Sequence, residues 1–318
     1  MNKRKVAVIG CGNVGATCAF ELIESGLFLE MVLIDVDKKR SEGEAMDLSH
    51  GSAYSHVMQI YAGDYDDIAD AGIIIITAGA AQRDGETRLD LVKKNVKIMK
   101  SIIEEIKNRN CEGLLLIVSN PVDILTYVAL KVSGFEPHRV IGSGTVLDSA
   151  RLRYVIGEKL MVDSRNVHAY IVGEHGDSEV PIFSTASISG IHMNHFAQLR
   201  GYFNYEDMIK EVYEDVKNSA YEIIKRKGAT YYGIAVAIKR ICEAIIKDEH
   251  SILPVSSLME GAFGFYDLCL SVPTVIGKDG VEMLVDIYLN NEEYSQLEYS
   301  AKTLKSVIDE LKEEGLLS

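Results

Sequence analysis

The chain has 318 residues, of which 47% are hydrophobic and 25% charged, a composition that predicts a globular protein with a large core and two domains. It carries 33 Lys and Arg against 47 Asp and Glu, a net charge of −14, without any run of basic residues. This charge disfavours nucleic acid and anionic membranes as partners. Because no apolar run approaches the ~18 residues of a membrane-spanning helix, a membrane protein is also disfavoured.

The five cysteines predict neither disulfides nor a metal site, because their number is odd and their spacing matches no known ligand pattern. The first residues lead directly into an apolar strand and leave no room for a signal peptide. We therefore expect reduced thiols, no bound metal and a cytoplasmic location.

A glycine-rich sequence, GCGNVG, follows the apolar run at residues 5–9 and precedes a helix predicted over residues 16–25. GxGxxG between a buried strand and a helix is typical of dinucleotide binding. Gly10 would permit the tight turn, Gly12 the approach of a pyrophosphate, and Gly15 close packing of the helix on the strand. The free N–H groups at the start of the helix would face the phosphates.

The second apolar strand ends at Asp35, 20 residues after Gly15. A carboxylate at this distance can accept hydrogen bonds from both ribose hydroxyls and would repel a 2′-phosphate. The spacing therefore predicts NAD rather than NADP. Asp37 is a second candidate for this role, although it lies beyond the end of the strand.

Strands and helices continue to alternate through the first half, which predicts a doubly wound parallel sheet of the Rossmann type. The later elements predict an α+β catalytic domain with antiparallel strands. We place the domains at residues 1–144 and 145–318. The further predicted strands are 57–61, 73–77, 114–118, 140–141, 170–172, 180–189, 252–258, 269–276 and 281–287, and the further helices are 38–48, 89–107, 146–157, 205–227, 231–247 and 291–314.

His175 lies between two glycines directly after a predicted strand, which suits a proton donor and acceptor that substrate can approach closely. Asp148 and Arg151 are three residues apart on a predicted helix and share one face. An aspartate beside the histidine would favour its charged form, and the fork of Arg151 fits a carboxylate. The alternatives are a structural histidine and a surface Asp148–Arg151 ion pair.

Two further polar residues follow predicted parallel strands, where ligands bind in such sheets. Arg88 ends a polar loop, and Asn120 lies at a strand tip before Pro121, which we expect at the first position of the next helix. The amide of Asn120 would be free to bind a ligand, and a helix cap is its alternative role.

Several motifs in order resemble the NAD-dependent L-lactate/malate dehydrogenases over essentially the whole chain. They are GCGNVGA (10–16), the strand ending in Asp35, QRDGETRLDL (82–91), SNPVD (119–123), GSGTVLDSAR (142–151) and GEHGDS (173–178). The resemblance implies that His175 exchanges a proton with the substrate oxygen while Asp148 pairs with it. Arg151 would bind the substrate carboxylate, Arg88 on a closing loop would polarise the carbonyl, and Asn120 would hydrogen-bond nearby.

The resemblance also implies a substrate pocket lined by Thr230 and a nicotinamide backed by Ile234. The residues it assigns to NAD are Gly10, Gly12, Asn13, Val14, Gly15, Asp35, Thr77, Ala78, Gly79, Val118, Asn120, Ser143 and Ile234.

Gln82 favours pyruvate and (S)-lactate as the substrate pair. Malate dehydrogenases that resemble this chain carry arginine there, and a neutral glutamine would leave the second carboxylate of oxaloacetate unpaired. Arg83 could supply that charge if it pointed inward. The alternatives are a malate or branched 2-hydroxy acid dehydrogenase and, in another class, a non-catalytic NAD-binding protein.

Arg153 and His168 match the positions at which bacterial members that resemble this chain bind fructose 1,6-bisphosphate across a subunit interface. Two cationic groups facing their symmetry mates would repel each other, and a bisphosphate would relieve that repulsion. We therefore expect a homotetramer activated by this effector. The alternative is that both residues face solvent.

Overall fold

The alternation of strands and helices predicted for the first half is present in the computed structural model, which describes residues 1–81, 85 and 87–317. Among these residues the strands are β1 (Asn2–Ile9), β2 (Glu30–Ile34), β3 (Gln59–Ala62), β4 (Ala71–Ile76), β5 (Leu114–Ile117), β6 (Val140–Gly142), β7 (Val167–Val172), β8 (Val180–Ile188), β9 (Ile191–His192), β10 (Ser251–Glu260), β11 (Tyr266–Gly277) and β12 (Gly280–Leu284). The helices of the same part are α1 (Asn13–Ser25), α2 (Lys38–Gly51), α3 (Arg88–Asn108), α4 (Val122–Ser133), α5 (Val146–Leu160), α6 (Met193–Leu199), α7 (Tyr205–Lys227), α8 (Tyr232–Ile246) and α9 (Asn291–Glu313).

Six parallel strands form the body of the main sheet, in the order β3-β2-β1-β4-β5-β6. This is the strand order of a doubly wound dinucleotide-binding sheet. Every residue of β4 is buried, because helices cover both faces of a parallel sheet. The predicted Rossmann fold is confirmed.

The antiparallel strands β10, β11 and β12 extend this main sheet rather than forming a sheet of their own, which sequence patterns did not predict. The junction is a single residue pair, Ser256 of β10 opposite Gly142 of β6. The separate antiparallel sheet of the second half consists of β7, β8 and β9.

The ends of several elements differ from the sequence predictions by a few residues. Pro121 is the N-cap of α4, so the prediction that it begins the helix was wrong by one position. Helix α5 continues three residues beyond the predicted Gly157 because Met161 adopts the left-handed cap conformation. The region 180–189 is one long strand, β8, rather than short strands, and β12 stops at Leu284.

The parallel strands direct their carboxyl ends to one edge of the main sheet, where the chain leaves β1, β4 and β5 for the following helices. Strand β7 of the small sheet approaches this region through a backbone bridge between Gly173 and Ser271 of β11. In the part of the chain that the structure describes, no helix combines the length and apolar character needed to cross a bilayer.

Candidate active site

His175 is held in place by its own backbone, which is anchored to the main sheet. Gly173, with φ of 92°, donates its N–H to the Ser271 carbonyl at 2.8 Å. The His175 N–H then donates to Asp123 Oδ2 at 2.8 Å. Left-handed backbone at Gly173 is a conformation that glycine adopts readily, so this glycine sets the direction in which the chain leaves β7.

Asp148 on α5 contacts the imidazole ring, with its Oδ2 2.6 Å from His175 Nδ1. The Asp148 side chain is only 5% exposed. Burial works to raise the pKa of this carboxyl, but attraction to His175 and Arg151 outweighs it and the pKa lies below its usual value. The charge of Asp148 raises the pKa of His175 to about 9, against the opposing effect of burial. The ring is therefore charged at neutral pH, and His175 lines two cavities.

Arg151 and Asp148 form the ion pair that sequence spacing allowed, with Nη1 2.8 Å from Oδ1. The pair does not lie on the surface, because the two side chains are 16% and 5% exposed. Both residues line a cavity of about 160 Å³ together with His175. A proton donor and a guanidinium thus border one small space, an arrangement suited to an anionic substrate with a reactive oxygen.

Asp123, the last residue of the SNPVD motif, is a buried carboxylate to which the sequence pattern assigned no role. Besides the His175 backbone, it accepts hydrogen bonds from Ser256 Oγ at 2.6 Å and Ser271 Oγ at 3.2 Å. Burial raises its pKa to about 6. An acidic residue in the otherwise apolar start of α4 was the available signal, since buried carboxylates need partners.

Arg88 was predicted on a loop, and this was wrong: it is the first residue of α3. Its guanidinium pairs with Glu174 at 3.0 Å and Asp177 at 2.8 Å, two acids that sequence analysis did not single out. Arg88 lines a cavity of about 380 Å³ with His175 and Asn120. The three groups assigned to the substrate oxygen therefore share one space.

Asn120 is exposed in this cavity and does not cap a helix, because Pro121 takes that position. Its backbone carbonyl accepts a hydrogen bond from Asn95 Nδ2 at 2.8 Å. Thr230 is half-buried in the break between α7 and α8. The predicted preference for pyruvate over oxaloacetate depends on Gln82 and Arg83, and these two residues lie outside the described residues.

Glu179 is a further acid near Asp148 and His175 that the sequence analysis did not single out. It lines the 160 Å³ cavity with Asp148, Arg151 and His175. Burial and the neighbouring charge of Asp148 raise its pKa to about 8, against the opposing charges of His175 and Arg151. Its carboxyl group is therefore largely neutral at pH 7.

A cavity of about 850 Å³ lies along the carboxyl ends of β1, β2 and β4. Its lining includes the predicted cofactor residues Gly10, Gly12, Asp35, Thr77, Ala78 and Gly79. Asn13, Val14 and Gly15 form the first turn of α1 behind it. A Cβ at Gly12 would meet no atom within 4 Å, so the backbone there is open to a large ligand. The shape and the donors fit a dinucleotide.

Asp35 is oriented by two backbone N–H groups, those of Cys11 at 2.7 Å and Asp37 at 2.9 Å. Each carboxylate oxygen keeps a lone pair that a ribose hydroxyl could use. Asp37, the second candidate, caps α2 by accepting from Lys39 N–H at 3.2 Å. The structure thus favours Asp35 as the ribose acceptor.

The remaining predicted residues lie just after β5 and β6, on α8, or on α5 and β7. Val118 and Ser143 are buried just after β5 and β6, and Ile234 of α8 packs on the cluster that contains Val118. Arg153 is half-buried on α5, and His168 is exposed on β7.

Two family models match this chain along nearly its whole length. The lactate/malate dehydrogenase NAD-binding domain matches residues 4–142, and the lactate/malate dehydrogenase α/β C-terminal domain matches residues 145–315. The chain belongs to the lactate/malate dehydrogenase family. The predicted family, the NAD cofactor and the class of NAD-dependent oxidoreductase are confirmed.

Two curated relatives share about half of their residues with this chain. The L-lactate dehydrogenase of Acetivibrio thermocellus is 53% identical over 308 residues, which cover 97% of each chain. The L-lactate dehydrogenase of Priestia megaterium is 51% identical over 306 residues, 96% of each chain.

Solved structures of family members have the same fold. A lactate dehydrogenase from a Medee basin deep-sea metagenome library matches with a TM-score of 0.95 and 46% identity, covering 98% of this chain and 100% of that one. The minor L-lactate dehydrogenase of Enterococcus mundtii, in a ligand-bound form, matches with a TM-score of 0.94 and 41% identity over 97% and 98% of the two chains.

The glycine loop predicts different outcomes for two alanine substitutions. A Cβ at Gly15 would lie 1.9 Å from the Gly10 carbonyl oxygen, so Gly15→Ala should destabilise the fold by roughly 1–3 kcal/mol. Gly12→Ala should leave stability unchanged and weaken NADH binding at least tenfold, because the methyl group points into open space that the pyrophosphate would enter. Thermal unfolding without ligand and NADH fluorescence titration measure the two effects. Tight NADH binding by Gly12→Ala would contradict this account of the cavity.

Proposed function

We propose that this chain is an L-lactate dehydrogenase, which transfers a hydride reversibly between NADH and pyruvate to give (S)-lactate. Curated relatives at about 50% identity are L-lactate dehydrogenases, and the two solved structures are a lactate dehydrogenase and a minor L-lactate dehydrogenase. The assignment of the catalytic residues rests on the 2.6 Å contact between Asp148 and His175, with Arg151 beside them.

His175 acts as the acid and base. Its pKa of about 9 keeps Nε2 protonated at neutral pH, so it can donate that proton to the keto oxygen of pyruvate. In the reverse direction the same nitrogen accepts the hydroxyl proton of lactate. NADH, when bound, supplies the hydride. Asp148 orients the ring and stabilises its charged form.

The other polar residues of the two cavities hold the substrate. The planar guanidinium of Arg151 binds the substrate carboxylate. Its N–H donors are then divided between Asp148 and the substrate. Arg88 donates to the substrate oxygen, Asn120 hydrogen-bonds nearby, and Thr230 lines the substrate pocket. Gln82 is assigned to substrate binding from its place in the sequence motif alone. The dinucleotide is held by the residues of the large cavity, with Asp35 on the ribose.

We assign these roles to two domains, residues 1–144 for the nucleotide and residues 145–318 for the substrate, in a cytoplasmic enzyme. Arg151 and His175 fall in the second domain, whereas Arg88 and Asn120 come from the first, so the reaction takes place between them.

The substrate assignment is tested by NADH oxidation with pyruvate and oxaloacetate in parallel. We expect kcat/KM for pyruvate to exceed that for oxaloacetate by about a hundredfold or more, because Gln82 leaves a second carboxylate unpaired. Gln82→Arg should reverse much of this preference, with Gln82→Met as the neutral control. A wild-type preference for oxaloacetate would overturn the assignment and indicate that Arg83 pairs with the second carboxylate.

We also propose that a homotetramer binds fructose 1,6-bisphosphate through Arg153 and His168. The charge of Arg153 acts on the hydroxyl of Tyr170 in β7, lowering a pKa that burial raises, and β7 also carries His168. This supports the pairing of Arg153 with His168. Neighbouring subunits would bring two such pairs together, and their guanidinium and imidazole groups would bind a bisphosphate.

The effector proposal predicts that fructose 1,6-bisphosphate lowers the apparent KM for pyruvate at least fivefold in the wild type. Arg153→Gln should lose this response and keep its activity at saturating pyruvate. Arg165→Gln serves as the control, because Arg165 lies in the turn before β7 and pairs with Asp163. Sedimentation with and without the effector reports the assembly. An unchanged KM and an unchanged mass in the wild type would rule the effector out.

A further inference from the structure

Arg88 lies between two acids that differ in burial. Its Nη2 is 3.0 Å from Glu174 Oε1, and its Nη1 is 2.8 Å from Asp177 Oδ2. The Glu174 side chain is 9% exposed, whereas that of Asp177 is 62% exposed. The two ends of one guanidinium thus meet one fixed acid and one solvated acid.

Glu174 is held firmly by groups other than Arg88. Its second carboxylate oxygen accepts from Ser178 Oγ at 2.5 Å, and its backbone N–H donates to Ser300 Oγ of α9 at 2.7 Å. Removing Arg88 from this carboxylate would leave a buried charge with one partner fewer, which is strongly unfavourable. The contact between Arg88 Nη2 and Glu174 is therefore the one that we expect to persist when a substrate binds.

Gly176 allows this pair to form beside the catalytic histidine. A Cβ at this position would lie 3.1 Å from Arg88 Nη2 and 3.2 Å from Glu174 Oε1. The guanidinium therefore passes over the backbone of the residue that follows His175. It already borders the cavity of about 380 Å³ that His175 and Asn120 line.

Asp177 holds the other end of the guanidinium weakly. Its Oδ1 accepts a hydrogen bond from the hydroxyl of Tyr221 at 2.9 Å, which keeps the carboxylate turned towards the cavity. Exposed ion pairs contribute little to stability, so a competing oxygen can replace Asp177 at small cost. Asp177 lines both the 380 Å³ and the 160 Å³ cavities, where a substrate would meet it.

We propose that Glu174 and Asp177 are positioning residues with opposite effects on the reaction. Glu174 holds Arg88 at the cavity, and Asp177 occupies the Nη1 donor until the substrate oxygen replaces it. This inference rests on the proposed function, which assigns Arg88 to the substrate carbonyl. The oxygen that gains negative charge during reduction is stabilised by a donor aimed at it, and a carboxylate in the same place repels it.

The test compares Glu174→Gln and Asp177→Asn for pyruvate reduction at saturating NADH. Glu174→Gln should lower kcat about tenfold or more with little change in KM, because the guanidinium loses its fixed position. Asp177→Asn should raise kcat/KM about two- to fivefold, the effect of releasing one exposed ion pair. Asp66→Asn is the matched control, because Asp66 pairs with Arg109 at the far end of α3 at 2.8 Å.

Both substitutions are repeated in an Arg88→Ala background, which separates positioning from a general structural effect. If the acids act through Arg88, each effect shrinks to less than about 1.5-fold there. Equal effects in the two backgrounds, or a fall in kcat/KM for Asp177→Asn in the wild-type background, would overturn the inference.

Thermal unfolding confirms that each variant is folded. Should Glu174→Gln not fold, Ser178→Ala loosens the same carboxylate and should lower kcat by a smaller factor that also disappears without Arg88. The wild type separates the two hypotheses: no pyruvate reduction by it defeats the proposed function, whereas normal reduction with the wrong variant pattern defeats only this inference.

Discussion

The contact between the Asp148 carboxylate and the His175 ring is the interaction on which the site depends. A histidine alone would be mostly neutral at pH 7, but the neighbouring charge raises its pKa to about 9. The stabilisation that this ion pair gives the fold is fully present below the unfolded pKa of histidine and is lost as the pH rises through about 9. The same charge makes the ring a proton donor across the neutral range.

The fold brings this pair together from three directions. Helix α5 carries Asp148 and Arg151 on one face, the chain after β7 carries His175, and Asp123 of α4 fixes the His175 backbone. Strands β10 and β11 supply the two serines that satisfy Asp123. The extension of the main sheet by antiparallel strands therefore has a direct role, because it joins the histidine to the nucleotide-binding half.

Local patterns predicted much of this structure, and non-local contacts account for what they missed. Helix α7 has the predicted bounds because Asn204 caps its start and Gly228 ends it in the left-handed conformation. The junction of β10 with β6 rests on one residue pair more than a hundred positions apart in sequence, which no periodicity reveals. The acids beside Arg88 were missed for the same reason, since only the folded chain brings Glu174 next to α3.

The role of Asp148 in raising the pKa of His175 is tested most directly by an NMR titration of the His175 ring in the wild type and in Asp148→Asn. His175→Gln serves to assign the signal. We expect a midpoint near 9 in the wild type and a midpoint lower by at least about one unit in Asp148→Asn, because the charge that raises the pKa of His175 is removed. Equal midpoints near the ordinary histidine value in both proteins would contradict the central role of this pair.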